Sequence, residues 1–249
     1  MLDLDTARRA FHRDISAARS TLSALDAGRW DAPTELTSWT VRHLARHLVW
    51  GQALQAAAWE RLRRGDTDVF VPPETDSVDP PVLVAELESA HTAFMDALDA
   101  VEEDTIDAAC PMPYGALPGR FVLQVAAMEA GIHRFDLDRA LGAARGLSTD
   151  TVQAASTVLA GVLPTLGSAG ESPNEPTNVH LRGERFTVDL GWSDGQWQSA
   201  EIDGTNIMFS GSDEALVLFA LGRLDAAEAD VLIQGSEDSG AFKRWFPGP

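Results

Sequence analysis

The sequence predicts a four-helix bundle over residues 1–147, followed by a smaller α+β domain over residues 148–249. Three observations predict it. Four segments of the first part repeat apolar residues at three-four spacing. After Gly146 that pattern gives way to short stretches in which apolar and polar residues alternate. The joints between segments carry glycine, proline and aspartate.

The first stripe is Leu4, Phe11, Ile15, Ala18, Leu22 and Leu25, a helix from about 4 to 26 that stops at Gly28. The second starts at Thr40, a good N-cap residue, and turns Val41, Leu44, His47, Leu48, Leu54 and Ala58 inward before ending near Gly65. A Pro/Asp-rich connection covers 66–79. Asp79-Pro80 then sets an acidic cap before a proline at the first helical position, opening a third helix that runs to about 101. Residues 102–119 read as a long loop and 121–141 as the fourth helix, stopped by Gly142. Four such helices with one or two long connections make a bundle.

The second domain opens with a helix over 148–166. Residues 179–182, 185–190 and 196–202 alternate as half-buried strands do, with Gly183-Glu184 and Ser193-Asp194-Gly195 as hairpin turns. A fourth strand is expected over 205–209, a helix over 213–221, a short strand over 231–233 and a last helical turn over 240–245.

Composition narrows the function. Hydrophobic residues make up 45% of the 249, enough for real cores, and no apolar run approaches the roughly 20 residues of a membrane span. Net charge is −19 and Lys243 is the only lysine, which argues against nucleic acid and anionic lipid as partners. The acidic start Met1-Leu2-Asp3-Leu4-Asp5 has no export signature, so a cytoplasmic protein is expected. Arginine over lysine, with abundant alanine, suggests a high-GC organism. Cys110 is the only cysteine, which excludes an internal disulfide and a Cys-rich zinc site. It lies in the turn-like Cys110-Pro111-Met112-Pro113-Tyr114-Gly115 and reads as an inert loop cysteine.

The chemistry concentrates in the fourth helix. Glu129 and His133 are four apart, hence on one helix face, among the apolar Val122, Val125, Ala126, Met128 and Ile132. A carboxylate and an imidazole bordering a bundle interior are costly unless paired, and a metal ion pairs both. His47, on the apolar stripe of the second helix, is the natural third ligand; two histidines and a glutamate leave one position open, as in catalytic zinc sites. His43 makes a second His-x-x-x-His pair with His47 but lies off the stripe and reads as a capping or solvent residue. His12, His91 and His180 read as ordinary packing or surface residues.

Ser38-Trp39-Thr40-Val41-Arg42-His43-Leu44-Ala45-Arg46-His47-Leu48, with Glu129-x-x-x-His133-x-x-Asp136, resembles the mycothiol-dependent maleylpyruvate isomerase family. Arg182-Gly183-Glu184, Trp192, Asp194-Gly195, Ser212 to Leu218 and Gly222-Arg223-Leu224 extend the resemblance into the second domain. It implies a DinB-like metal-binding bundle and a sterol-carrier-like C-terminal domain. It also implies a divalent metal, usually zinc, on His47, Glu129 and His133, and a functional arginine at Arg223. Mycothiol, the low-molecular-weight thiol of actinobacteria, is the implied cosubstrate. The family usually has an acid where this chain has His43, a change expected to weaken the cap with Thr40 a little. Asp136 is read either as a partner behind the ligands or as a residue that steadies the helix.

The implied activity is cis-trans isomerisation or S-transfer by a metal-activated thiolate on a small-molecule substrate. Two rival readings are a non-catalytic protein that binds metal and an apolar ligand, and a metal-dependent hydrolase. The sequence sets no oligomeric state and no cofactor-binding residues for the thiol.

Overall fold

The structure, a computed structural model, describes residues 1–143, 145–235 and 240–247. The chain forms two compact units, Met1–Thr151 and Val152–Pro249. The division falls inside a helix, slightly later in the chain than the boundary expected at 147/148.

The first unit carries α1 (Leu4–Ser23), α2 (Val41–Arg64), α3 (Pro80–Asp99) and α4 (Gly119–Ala140). Their ends follow the local chemistry. Asp3 Oδ1 accepts the Thr6 N–H at 2.8 Å to cap α1, and Gly65, at φ 66°, closes α2 in the left-handed conformation that glycine tolerates. α1 packs chiefly on α4 and α2 on α3, and α2 also touches α4. The centre is filled by Phe11, Ile15, Leu44, Trp59, Leu83, Leu87 and Phe94, all essentially buried.

Two features of this unit differ from expectation. The stretch read as a loop holds an antiparallel hairpin, β1 (Ala109–Met112) and β2 (Gly115–Pro118), with Met112 opposite Gly115. Cys110 therefore sits in a strand, and its burial pushes the thiol up to about 12. The thiolate needed for chemistry does not form near neutral pH, so the inert reading stands in a different setting. The second feature is the connection from α2 to α3, which has no helix or strand yet is held along α2. Trp50 Nε1 donates to Pro72 O at 3.0 Å. Arg46 Nε and Nη2 donate to Thr75 O at 2.9 and 2.6 Å, and Arg42 Nη1 donates to Val78 O. Positions 42, 46 and 50 recur every four residues, so one face of α2 carries all three donors.

The second unit takes up α5 (Thr149–Gly167) and a five-stranded sheet in the order β5-β4-β3-β6-β7. Its strands are β3 (Thr177–Arg182), β4 (Thr187–Ser193), β5 (Gln196–Gln198), β6 (Thr205–Ser210) and β7 (Leu232–Gln234), with α6 (Asp213–Ala220) and α7 (Ala241–Trp245). β3 and β6 run parallel and the other pairs antiparallel. The expected strand over 196–202 stops at Gln198, the pairing with β4 ending at Gly191 opposite it. Phe209, Phe219, Phe242 and Phe246 form a continuous aromatic core. A helical first part followed by a sheet-containing second part is the fold class read from the sequence. No helix among the described residues is long and apolar enough to cross a membrane.

Candidate metal centre

Glu129 and His133 stand one turn apart in the middle of α4, on the side that meets α2. His133 Nε2 lies 3.2 Å from Glu129 Oε2, and His47 Nε2, reaching over from α2, lies 3.8 Å from the same oxygen. One donor atom from each of the three lies within 4.8 Å of the others. The two imidazoles meet edge-on, centroids 4.7 Å apart at 77°. His133 is buried, while His47 and Glu129 are half-buried, so the group opens to solvent on their side.

His133 has a defined tautomer. Its Nδ1 lies 2.9 Å from Asp136 Oδ2, and a buried carboxylate only accepts, so Nδ1 carries the proton and Nε2 faces Glu129. This arrangement orients a metal-ligating histidine in many metalloproteins. Asp136, whose role the sequence left between two readings, therefore stands directly behind the ligand face.

Electrostatics couple the cluster. Burial alone would lower the His133 pKa; hydrogen bonds to Asp136 and Glu129, with their charges, outweigh it and raise the value to about 9. Burial alone would raise Glu129, but His133 and then His47 beside it hold it well below the usual carboxylate range. Without an ion the group is a charge pair between buried His133 and half-buried Glu129. With two neutral imidazoles and one carboxylate it offers the donor set of a three-ligand zinc site, so the residues present fit a divalent ion.

Residues that spacing alone did not single out surround the three donors. Trp39 lies 5.0 Å from the His47 ring and 6.5 Å from that of His133; Trp50 lies 6.0 Å from His47 on the same helix. His43 is the N3 residue of a capping box, and its Nδ1 accepts the Thr40 N–H at 3.1 Å. The imidazole thus replaces the family's acid, and the expected weakening of the cap is offset.

Arg223 belongs to the second unit, just past α6. Its Nη1 donates to Leu221 O at 2.9 Å. Lys243 Nζ donates to Ala220 O at 3.0 Å beside it; burial and the charge of Arg223 bring that amine down to about 8. His180 is less ordinary than the sequence suggested, since strand register sets it opposite Asp189 and within reach of Glu201. Asp189 is already engaged by the Arg182 guanidinium, so this second cluster is a salt-bridge network. His12 and His91 bond to each other at 2.9 Å, and His91 to Gln52 at 3.1 Å, inside the first unit.

The family described as "mycothiol maleylpyruvate isomerase N-terminal domain" matches residues 11–138, more than half of the chain and including all three donors. The chain belongs to this enzyme family. Two solved structures share the maleylpyruvate isomerase fold with it: the mycothiol-dependent maleylpyruvate isomerase and a point mutant of it, at TM-scores of 0.71 and 0.72. Each is 18% identical over 96% of both chains, an identity at which the likeness is one of fold. No curated protein matches the chain.

Proposed function

We propose that the chain is a mycothiol-dependent, metal-dependent isomerase of the maleylpyruvate type. His47, Glu129 and His133 hold the divalent ion, zinc by donor preference. The observation that carries the reading is the convergence of these three side chains from two helices, inside the region that matches the family.

When bound, a divalent ion at this donor set lowers the pKa of a coordinated thiol, so that a thiolate is available at neutral pH. The chain's own residues prepare that setting. Asp136 fixes His133 with Nε2 facing the ligand side. Glu129 supplies one fixed negative charge and His47 closes the donor set from α2. Separately, Arg223 of the second unit carries a guanidinium whose forked geometry suits a carboxylate. Cys110 is sequestered in β1, so the reacting sulfur comes from the cosubstrate.

Elemental mass spectrometry of untagged protein, wild type and His133→Ala, tests the first half. About one zinc per chain, lost in the variant, is expected. Turnover tests the second half: maleylpyruvate converts only when mycothiol is added. A product that retains the thiol's mass points to the S-transferase form of the same chemistry. Turnover without thiol points to a hydrolase instead. A protein that takes up no zinc and turns over nothing overturns the proposal and leaves ligand binding as the better reading.

A further inference from the structure

The two histidines of the centre are held by different means. The His133 ring is fixed by its hydrogen bond to buried Asp136. His47 makes no such bond among the described residues: Glu129 Oε2 is 3.8 Å from its Nε2, beyond hydrogen-bond distance. A ligand imidazole needs its second nitrogen or its ring faces restrained, or it loses rotational order on binding.

The restraint on His47 is aromatic. Trp39 lies against it at 5.0 Å and 55°, and Trp50 at 6.0 Å and 41°. Trp39 also runs nearly parallel to the His133 ring, at 22° and 6.5 Å. Both indoles are themselves anchored. Trp50 Nε1 donates to Pro72 O at 3.0 Å. Trp39 is held through its backbone: its N–H donates to Leu36 O at 3.0 Å, and its carbonyl accepts from Thr34 N at 2.9 Å and from Thr34 Oγ1 at 3.1 Å. Ser38, immediately before it, sits at φ 67°, a region that residues other than glycine, asparagine and aspartate rarely occupy. A strained residue inside a hydrogen-bonded turn, next to a ring packed against a candidate ligand, is where strain serves a site.

We infer that Trp39 and Trp50 are positioning residues that clamp the His47 imidazole in its ligand orientation, the role that Asp136 fills for His133. The inference rests on the proposed metal reading, and the test separates the two. Cobalt(II) binding is measured, by affinity and by the visible d–d spectrum, in wild type, His47→Ala, Trp39→Ala, Trp39→Leu, Trp39→Phe and Trp50→Phe. NMR of the metal-free proteins follows the His47 ring protons. The clamp predicts that Trp39→Ala and Trp39→Leu bind cobalt about 10- to 100-fold more weakly, with an altered spectrum. Trp39→Phe, which keeps a ring, recovers most of the affinity. Trp50→Phe, which keeps a ring and loses the anchoring bond to Pro72, falls between wild type and Trp39→Leu, and wild-type affinity and spectrum there remove Trp50 from the clamp. The His47 ring protons lose the Trp39 part of their ring-current shift in Trp39→Leu even without metal. Leucine fills the space of the indole without its ring, so a packing role alone leaves cobalt affinity and spectrum unchanged in Trp39→Leu, and that result overturns the clamp. Wild-type binding no tighter than that of His47→Ala overturns the metal reading itself.

Discussion

Asp136 lies with its carboxylate 2.9 Å from His133 Nδ1, three residues along the same helix and without solvent-exposed surface. Removing it frees the His133 ring and its tautomer. Asp136→Ala is expected to weaken zinc affinity by about 10- to 100-fold in a chelator competition assay. Asp136→Asn, whose amide oxygen can still accept from Nδ1, is expected to lose less.

Stability of the metal-free protein should depend on pH in a defined sense. His133 is raised from 6.5 to about 9 on folding, so its stabilisation is complete below pH 6.5 and lost as pH climbs through 9. Glu129 is depressed from 4.5, so its share is present above that pH and fades as pH falls. Chelator-treated protein should therefore be most stable between about 4.5 and 6.5, with an alkaline decline on the order of 3 kcal/mol at most. His133→Gln should flatten the alkaline limb in thermal melts across pH. Zinc uptake, which requires a neutral imidazole, should release protons and tighten as pH rises.

Gly131 lies between Glu129 and His133 on α4, and the space beside it is already filled. A β-carbon there would come within 2.2 Å of Thr151 Cγ2 and 2.4 Å of its Oγ1. Thr151 is fully buried and its hydroxyl donates to Asp14 at 2.9 Å, so it cannot rotate away without breaking that bond. Gly131→Ala is expected to cost about 1–3 kcal/mol in denaturant unfolding. Adding Thr151→Ala should return part of it.

Asp14 joins three groups in the same region. It accepts from Arg13 at 2.9 Å and from Thr151, and lies 3.4 Å from Arg134, which also pairs with Asp138 at 2.6 Å. Asp14→Ala leaves the buried Arg134 with half of its compensation and should destabilise by about 3 kcal/mol, near the lower figure for breaking a buried pair. Arg13→Ala, at the exposed edge, should cost about 1 kcal/mol or less. Paired thermal melts check the contrast.

The fold and the clustering of His47, Glu129 and His133 were legible because both are written in periodicity. Apolar stripes located the helices, and four-residue spacing set Glu129 and His133 on one face. His47 followed from lying on the stripe of α2. What periodicity does not encode was missed. Pro111 and Pro113 made the hairpin look like a turn, although a two-stranded ribbon leaves outward edges where a missing N–H is tolerated. Trp39 lies in an irregular turn before α2, so no spacing rule joins it to His47. His180 meets Asp189 only through strand register, and Glu201 only through the loop beyond β5. The substitution of His43 for an acid looked like a loss because propensity rules name glutamate and glutamine at N3; a neutral imidazole nitrogen accepts the same hydrogen bond.

The strap over α2 has a consequence for any probe of local order. Arg42, Arg46 and Trp50 grip the connection through its carbonyl oxygens at Val78, Thr75 and Pro72. Between Pro72 and Val78, the only amide with a hydrogen-bond acceptor among the described residues is that of Ser77, which donates to Thr75 Oγ1 at 3.1 Å. Amide exchange reports on donors alone and will score this stretch as nearly unprotected. Spin relaxation reports motion of the chain itself and should find the same residues almost as still as the helix beneath them. Here, rapid exchange and a rigid backbone should coincide.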